Sequence, residues 1–392
     1  MSINGSLAAT IGYLCVILLL ETSCTTNMAF RAQRGIIASI DRESQKVSAW
    51  DAGDIVGLDE DRRCLFTLLF DPPGVDWEKY SVDEAQKVFR QLVASGAEFQ
   101  LCAKDYEGNI VQKWSIPSKF CRDVVWANTE YLVSLVFERS GTRSLWVRKL
   151  DTGQDILLED NWVWGPLRIG WVPRWLAKDR LLIFTGDPIK QPNEPLRMIE
   201  VMVPSGHVQI LYERKPDPAE FYYSPHMGYA LSPDKQFVAF WAPAPNGEYG
   251  IVSVHLPTRE VSLLAPFGSA RANTLAWTPS GKRLYYSRAN AVYAYDLGTR
   301  QSERITDFGK NQLLLNLGAL DVHLLLCHTE GSEFSPDQVF LYDTLTQKQG
   351  PILIRGRGGS FFEVVEGGKT ALVDLVVSIA EFRRIQKQHK VP

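Results

Sequence analysis

Two stretches, LSPDKQFVAFWA (231–242) and WTPSGKRLYYSR (277–288), share a pattern in which a polar turn is followed by alternating apolar residues. A second pattern, two apolar runs joined by a tight polar turn, is clearest in LWVRKLDTGQDILL (145–158) and AVYAYDLGTRQSERIT (291–306). Period-two alternation, aromatic and β-branched residues, and flanking turn residues are typical of β-strands. The two patterns follow each other at roughly 40–55 residues, which indicates a repeated unit of strands.

The repeated unit occurs seven times, which predicts an all-β fold, a seven-bladed β-propeller. The predicted inner strands are 63–70, 131–137, 180–186, 237–242, 283–288, 323–329 and 370–377, and the predicted outer hairpins are 35–50, 99–114, 145–158, 198–211, 251–264, 292–305 and 339–354. The first hairpin has no inner strand before it, and the last inner strand has no complete hairpin after it. Because unpaired sheets at the two ends would expose open edges, we expect 35–50 to pair with 360–377 and close the last blade. We also expect the glycines of Asp-x-Gly, Ser-Gly and Pro-Ser-Gly at the hairpin tips to supply the positive φ angles that tight turns require.

The turns Ser232-Pro233-Asp234 and Thr278-Pro279-Ser280-Gly281-Lys282 precede the strands Phe237-Val238-Ala239-Phe240 and Leu284-Tyr285-Tyr286. This combination resembles the WD40-like (PD40) repeats of TolB-type β-propellers. The resemblance covers nearly all of the chain after its amino terminus and implies a propeller fold without implying an activity. TolB itself has six blades and an additional amino-terminal domain, so the kinship with these seven repeats is at the level of the repeat.

A helical insertion interrupts the first complete blade over residues of about 75–96, where apolar residues recur at helical spacing. Ser81 and Glu84 have the spacing of a capping box, and Gly96 is suited to end the helix. The predicted apolar stripe consists of Ala85, Val88, Phe89 and Leu92. We expect this stripe to pack on the flank of its own blade, with docking of a partner as the alternative.

The amino terminus carries an apolar run over residues 7–20, which is short for a membrane span and suits the core of a signal peptide. Ser23-Cys24 follows, and this arrangement resembles the lipobox of bacterial lipoproteins, in which the cysteine is lipidated. Glu21 stands where that motif usually has an aliphatic residue, and no Lys or Arg precedes the apolar run. The resemblance implies a lipid on Cys24 and a location on the periplasmic side of the cell envelope. A secreted or otherwise exported form and a cytoplasmic protein are the alternatives.

These patterns predict four segments. They are a signal or lipoprotein-type segment at 1–24, a linker at 25–33, one propeller domain at 34–385 and a basic tail at 386–392. The formal net charge of −3 is spread along the chain, which argues against nucleic acid as a partner. We expect the basic residues near the carboxyl terminus to form a solvated end rather than a phosphate-binding arm. These residues are Arg383, Arg384, Lys387 and Lys390.

Motifs of catalysis and metal binding are scarce. None of the six cysteines forms a C-x-x-C pair, so a zinc or redox site has no support. Cys64 and Cys102 fall in neighbouring predicted strands, where a disulfide is one alternative and two buried thiols, which we favour, are the other. A G-x-S-x-G nucleophile elbow and the glycine patterns of nucleotide-binding loops are missing. The histidines do not converge as a metal site requires, since only His226 falls on the face considered next.

The long predicted loops all fall on one face of the propeller, the face that carries the connections between blades. They are the helical insertion and residues 159–166, 186–195, 213–225, 242–248 and 355–359. Function concentrates in long loops on a rigid scaffold. Our candidate binding residues on this face are Trp162, Trp164, Tyr222, Tyr223, His226, Arg355 and Arg357. The aromatic rings suit stacking on sugars or capture of a peptide side chain, and the arginines suit a carboxylate or phosphate. Tryptophans packed between blades and arginines in a solvated loop are the alternatives.

The sequence therefore favours binding over catalysis. We predict a non-catalytic cell-envelope propeller that binds a protein or glycan partner through its long-loop face, with no cofactor, metal or nucleic acid. We expect contact with the membrane only through an amino-terminal lipid or signal anchor. A carbohydrate-active lyase or hydrolase with its site at the central channel is the alternative, and a structural assembly component is a third hypothesis.

Overall fold

The structure is a computed structural model that describes residues 33–51, 54–69, 75, 82–120, 124–137, 143–159, 173–185, 195–214, 229–244, 247–266, 272–288, 291–308, 313–331, 336–356 and 362–388. The described residues form seven four-stranded antiparallel sheets, which confirms the predicted seven-bladed β-propeller. They fall into two compact units. Unit 1 takes in Met1–Ile36 and Trp50–Asn161, and unit 2 takes in Ile37–Ala49 and Trp162–Pro392.

Twenty-eight strands and two α-helices are described. In chain order they are β1 (Gln33–Asp41), β2 (Val47–Asp51), β3 (Asp54–Asp59), β4 (Cys64–Leu69), α1 (Val82–Ala94), β5 (Glu98–Lys104), β6 (Ile110–Pro117), β7 (Val124–Ala127), β8 (Tyr131–Phe137), β9 (Arg143–Lys149), β10 (Asp155–Glu159), β11 (Arg174–Ala177), β12 (Arg180–Thr185), β13 (Leu196–Met202), β14 (Val208–Arg214), β15 (Tyr229–Leu231), β16 (Phe237–Pro243), β17 (Tyr249–His255), β18 (Glu260–Pro266), β19 (Ala272–Trp277), β20 (Arg283–Arg288), β21 (Ala291–Asp296), β22 (Gln301–Asp307), β23 (Leu314–Ala319), β24 (Leu324–Thr329), β25 (Asp337–Asp343), β26 (Lys348–Gly356), β27 (Phe362–Val365), β28 (Thr370–Ser378) and α2 (Ile379–Gln388).

Unit 1 contains two sheets, with the strand orders β3-β4-β5-β6 and β10-β9-β8-β7. Its core consists of alternate residues of these strands, among them the fully buried Phe66 and Leu101. The strands β3 and β7 approach closely at Gly57, where an added Cβ would collide with the carbonyl oxygen of Ala127. Only glycine fits at this contact between the two sheets.

The helical insertion is confirmed as α1, which lies between β4 and β5 of the first sheet of unit 1. The ring of Phe89 meets that of Phe99 on β5 edge to face, with the ring centroids 6.2 Å apart. The helix therefore packs on its own blade, as expected. Gly96 follows the helix with φ of +87°, which glycine adopts without strain. Ser81, the first residue of the predicted capping box, lies outside the described residues.

Unit 2 contains four sheets of consecutive strands, β11 to β14, β15 to β18, β19 to β22 and β23 to β26, and a terminal sheet. Successive sheets pack face to face through alternate apolar residues, such as Phe184 of β12 against Phe240 of β16. A hydrogen bond also joins the first strands of two neighbouring sheets, β15 and β19. The indole N–H of Trp277 on β19 donates to the carbonyl oxygen of Ala230 on β15 at 3.1 Å.

The terminal sheet joins the two ends of the described chain in the order β2-β1-β28-β27. The amide of Arg42 donates to the carbonyl oxygen of Lys369 at 2.8 Å, beside the junction of β1 and β28. Ile37 of β1 and Leu372 of β28 are both fully buried. The predicted pairing of 35–50 with 360–377 is therefore confirmed.

The outer hairpin of every sheet contains one residue in the left-handed region, with φ between +54° and +90°. These residues are Gln45, Gly108, Gly153, Gly206, Arg259, Arg300 and Gln347. In four of the hairpins, at Gly153, Gly206, Arg259 and Arg300, the amide of this residue donates to the carbonyl oxygen four residues earlier. The prediction that glycine supplies the positive φ is confirmed at three positions. At the other four positions a side-chain-bearing residue adopts the same conformation.

The carboxyl-terminal segment forms a helix, α2, that no pattern in the sequence predicted. Helix α2 continues directly from β28 and buries Phe382 and Ile385. Arg384, which we expected in a solvated end, forms an ion pair with Glu381 and also donates to the carbonyl oxygen of Leu353 on β26 at 2.6 Å. The expectation of a solvated end is wrong for Arg384, because its guanidinium fastens the helix to the sheet.

The described cysteines Cys64, Cys102 and Cys327 are free and buried. Burial raises the pKa of each thiol. The favoured alternative of buried thiols at Cys64 and Cys102 is therefore confirmed, and no disulfide joins them.

Candidate functional site

Three of the predicted long loops lead into first strands of sheets in unit 2. The predicted loop 159–166 precedes β11, the loop 213–225 precedes β15, and the loop 355–359 precedes β27. The predicted bounds are wrong at their first residues, because residue 159 belongs to β10, residues 213–214 to β14 and residues 355–356 to β26. Each of these strands stands at the edge of its sheet. The first residues of the three strands therefore mark where the predicted loops meet the scaffold.

An ion pair joins two of these strands. The guanidinium of Arg174, the first residue of β11, contacts the carboxylate of Glu363 on β27. The two residues belong to the first and the terminal sheet of unit 2. Their side chains are 20% and 26% exposed, so the pair is largely but not wholly withdrawn from solvent. The ion pair thus connects the two ends of the series of sheets in this unit.

Tyr229, the first residue of β15, completes the group. Arg174 forms a hydrogen bond with the phenol of Tyr229, and the ring of Tyr229 lies against Phe184, with the centroids 4.5 Å apart. Burial raises the pKa of Tyr229 to about 12, although the charge and the hydrogen bond of Arg174 act in the opposite direction. The phenol is therefore protonated at neutral pH. We call Arg174, Tyr229 and Glu363 the Arg174 cluster.

The Arg174 cluster carries no net charge at neutral pH, because the guanidinium and the carboxylate compensate each other and the phenol is neutral. A guanidinium has five N–H donors and a carboxylate accepts several hydrogen bonds, so the ion pair occupies only part of their capacity. The cluster can therefore offer both donors and acceptors to a ligand. It contains no unpaired carboxylate that would act as a general base.

The position of Glu363 is fixed by its neighbour Phe362. The ring of Phe362 stacks on His328 of β24, with the centroids 6.5 Å apart and the planes 6° from parallel. Because successive residues of a strand point to opposite faces, this stacking directs Glu363 to the other face of β27. His328 is 1% exposed, and its Nε2 lies 3.7 Å from Oδ2 of Asp337.

The structure describes only one of the predicted binding residues. Arg355 is an exposed residue of β26, and its backbone amide donates to Oε1 of Glu381 on α2 at 2.9 Å. The other six binding candidates and the predicted lipid-attachment residue lie outside the described residues, namely Trp162, Trp164, Tyr222, Tyr223, His226, Arg357 and Cys24. Their roles remain predictions.

No motif or spacing in the sequence predicted the three members of the Arg174 cluster. Arg174 and Glu363 lie in different repeats, far apart in the chain, and no spacing rule brings them together. One signal was available, since each residue stands at or next to the start of a strand that follows a predicted binding loop. Polar residues at the start of such strands lie where a binding site formed by the loops would contact the strands of the propeller.

Metal ligands do not gather in the part of the chain that the structure describes, where no group of three or more His, Cys, Asp or Glu side chains could hold an ion. Among the same residues, no helix is both long enough and apolar enough to span a membrane.

The fold and the Arg174 cluster define a β-propeller with a polar cluster at strand starts that follow long loops. Among solved structures, the chain is similar to a putative TolB from Agrobacterium tumefaciens, with 11% identity over 89% of this chain and 100% of that one and a TM-score of 0.43. It is also similar to an oligogalacturonate lyase in complex with manganese, with 12% identity over 90% of this chain and 100% of that one and a TM-score of 0.48.

A third similar structure is the β-propeller domain of the Trilobed protease from Pyrococcus furiosus, with 14% identity over 81% of this chain and 90% of that one and a TM-score of 0.47. No family model and no curated protein matches the chain. At these values the similarities carry no argument about activity, ligand or metal.

Proposed function

We propose that this chain is a ligand-binding β-propeller of the cell envelope that holds a protein or glycan partner on its long-loop side. The Arg174 cluster forms part of the binding surface. The observation that carries the proposal is the ion pair between Arg174 and Glu363, because it joins strands that follow two of the predicted binding loops. Tyr229 adds a strand that follows the third loop.

Rigid placement of the cluster supports binding. Arg174, Tyr229 and Glu363 all lie on strands that also contain buried apolar residues. The strand β27 is additionally held in place by the stacking of Phe362 on His328. A site held on strands loses little conformational entropy when a ligand binds, so more of the contact energy appears as affinity.

The chemistry of the cluster supports binding over the carbohydrate-active alternative. Glu363 is held by Arg174, and Tyr229 retains its proton at neutral pH. A general base must be free to take a proton from the substrate, which a carboxylate held in an ion pair and a protonated phenol are not set up to do.

The envelope location is proposed from the amino-terminal resemblance, with Cys24 as the lipid-attachment residue. The test is the mass of the mature amino-terminal peptide purified from membranes of a bacterial host. A peptide that begins at Cys24 and carries lipid supports the location. An intact peptide that begins at Met1 in a soluble fraction contradicts it.

The binding role is tested by cross-linking the full chain to its partner in cells and comparing variants. We expect Arg174→Gln to lower capture of the partner at least about tenfold, as loss of a central polar contact does. Trp164→Ala and Tyr222→Ala test the predicted loop residues in the same way. Lys282→Gln, an exposed change at the turn between β19 and β20, is the matched control. Equal capture by all variants would overturn the proposal.

A further inference from the structure

We propose that the Arg174 cluster binds the hydroxyl groups of a neutral glycan rather than an acidic ligand. This inference rests on the proposed function, because it assumes that the long-loop side binds a ligand, and it names the class of that ligand. The residues that support it are Arg174, Tyr229, Glu363 and Phe184, whose ring lies beside Tyr229.

Charge compensation is the first reason. A ligand carboxylate that took Arg174 from Glu363 would leave the carboxylate of Glu363, which is 26% exposed, beside a second negative charge. A ligand ammonium group that took Glu363 would leave Arg174 unpaired in the same way. Breaking a largely buried ion pair by removing one partner is costly. A neutral ligand avoids both costs.

Hydrogen-bonding capacity is the second reason. A hydroxyl group both donates and accepts, so one sugar hydroxyl can accept from the guanidinium of Arg174 while a neighbouring hydroxyl donates to Glu363. The ion pair remains intact in this arrangement. Hydrogen bonds to charged groups are also stronger than those between neutral groups, which favours hydroxyls over apolar ligand groups.

The aromatic ring of Tyr229 is the third reason. Tyr229 is a partly buried residue, and the ring of Phe184 supports its ring from one side at 4.5 Å between centroids. A flat, supported ring beside paired donors and acceptors suits a sugar, which has apolar C–H faces and polar hydroxyl edges. An acidic peptide would use the guanidinium but gain little from this arrangement.

The test is a binding panel with the full chain. The probes are neutral oligomers of glucose, galactose and N-acetylglucosamine, oligomers of a hexuronic acid, and a glutamate-rich peptide. We expect a neutral oligomer to bind at least about tenfold more tightly than either acidic probe, since one charge-assisted hydrogen bond is worth at least that factor. We expect Glu363→Gln to weaken binding of the neutral oligomer. The difference in affinity between the neutral and the acidic probes should also become smaller, because the charge of Arg174 is then uncompensated.

Two further variants separate binding from folding. Tyr229→Phe removes only the hydroxyl and keeps the ring, and Lys282→Gln changes a distant exposed charge. We expect Tyr229→Phe to weaken the neutral oligomer by several-fold and Lys282→Gln to have no effect. Thermal unfolding of each variant shows whether a loss of binding reflects a loss of structure.

The outcomes distinguish this inference from the proposed function. Preferred binding of an acidic probe that depends on Arg174 overturns the neutral-glycan inference and keeps the proposed function. If no glycan binds but capture of the partner in cells still depends on Arg174, the neutral-glycan inference is likewise overturned and the proposed function is kept. Absence of glycan binding together with capture that ignores Arg174 overturns both.

Discussion

The backbone amide of Arg355 on β26 donates to Oε1 of Glu381 on α2 at 2.9 Å. The same carboxylate accepts hydrogen bonds from Nε and Nη2 of Arg384, at 2.8 and 2.7 Å. Glu381 is 8% exposed, so a nearly buried carboxylate holds α2 against the sheet formed by β23 to β26. This contact explains why the carboxyl-terminal segment forms a helix on the sheet.

The helix contact predicts a dependence of stability on pH. Burial alone would raise the pKa of Glu381, but the hydrogen bonds from Arg384 and Arg355 outweigh it and lower the pKa below its ordinary value of 4.5. A carboxyl with a lowered folded-state pKa stabilises the fold above its unfolded pKa, and this contribution is lost as pH falls through the folded value.

We expect Glu381→Gln to lower the free energy of unfolding by about 1–3 kcal/mol at pH 7, as loss of a buried charged hydrogen-bond acceptor does. The difference from wild type should shrink below pH 4.5. The measurement is chemical denaturation of both proteins from pH 7 to pH 3. Glu43→Gln, at a side chain that is 80% exposed, is the control. A pH-independent difference would contradict the role of the ionised carboxylate.

The left-handed residues of the outer hairpins give a second prediction. Arg300 has φ of +57°, a region that costs side-chain-bearing residues roughly 1–2 kcal/mol, whereas glycine adopts it freely. We expect Arg300→Gly to stabilise the protein by up to about 1 kcal/mol. The gain is smaller than the backbone cost that is removed, because glycine loses more conformational entropy on folding. Arg300→Ala keeps the backbone cost and should show no gain.

The reverse substitution completes this test. Gly153→Ala at φ of +69° should destabilise the protein by about 1 kcal/mol. Its new Cβ would also lie 3.2 Å from Nη2 of Arg148, which a flexible side chain can accommodate. Thermal unfolding of the three variants measures both the expected gain and the expected loss of stability. Destabilisation by Arg300→Gly would show that the arginine side chain, rather than the backbone, sets the stability of its hairpin.

A third prediction concerns the packing of β23 against β27. A Cβ on Gly318 would lie 2.7 Å from Cγ2 of Val364 and 3.0 Å from the ring of Phe362. We expect Gly318→Ala to destabilise the protein by roughly 1–3 kcal/mol through overpacking. Val364→Ala removes one colliding atom, so the double variant should be more stable than the sum of the single changes predicts. Strict additivity would mean that the two residues do not touch.

The fourth prediction concerns the thiols. Because Cys64, Cys102 and Cys327 are buried and their pKa values are raised, we expect none of them to react with iodoacetamide in the folded protein and all to react after unfolding. Peptide mass analysis measures each cysteine separately. A reductant should leave the melting temperature unchanged, and a drop on reduction would point to a disulfide.

Much of the fold was predictable because each repeat is locally encoded. The strand expected at 237–242 is observed as β16, Phe237–Pro243, since alternation and a preceding Ser-Pro-Asp turn define it within a few residues. The helix α1 was equally predictable from the spacing of Val88, Phe89 and Leu92. Closure of the terminal sheet followed from counting half-repeats, because an open edge at either end is unfavourable.

Other features depend on contacts between distant residues, which a local pattern does not show. Among the side chains of α2 whose burial is described, the buried apolar ones are Phe382 and Ile385, and several charges surround them. The sequence of α2 therefore resembles that of a solvated end unless its contact with β26 is known. The pairing of Arg174 with Glu363 depends on how two sheets of unit 2 meet. Non-glycine residues at the left-handed positions were also missed, because composition favours glycine there without requiring it.

The terminal sheet has a consequence for biosynthesis. During translation β1 emerges among the first strands, yet β28, its neighbour in the sheet, is made close to the end of the chain. Pairing between segments so far apart in sequence is slow, because most of the chain must be ordered before the ends meet. A polypeptide that lacks Thr370–Ser378 would leave β1 without that neighbour, so the terminal sheet is completed only after β28 has been synthesised.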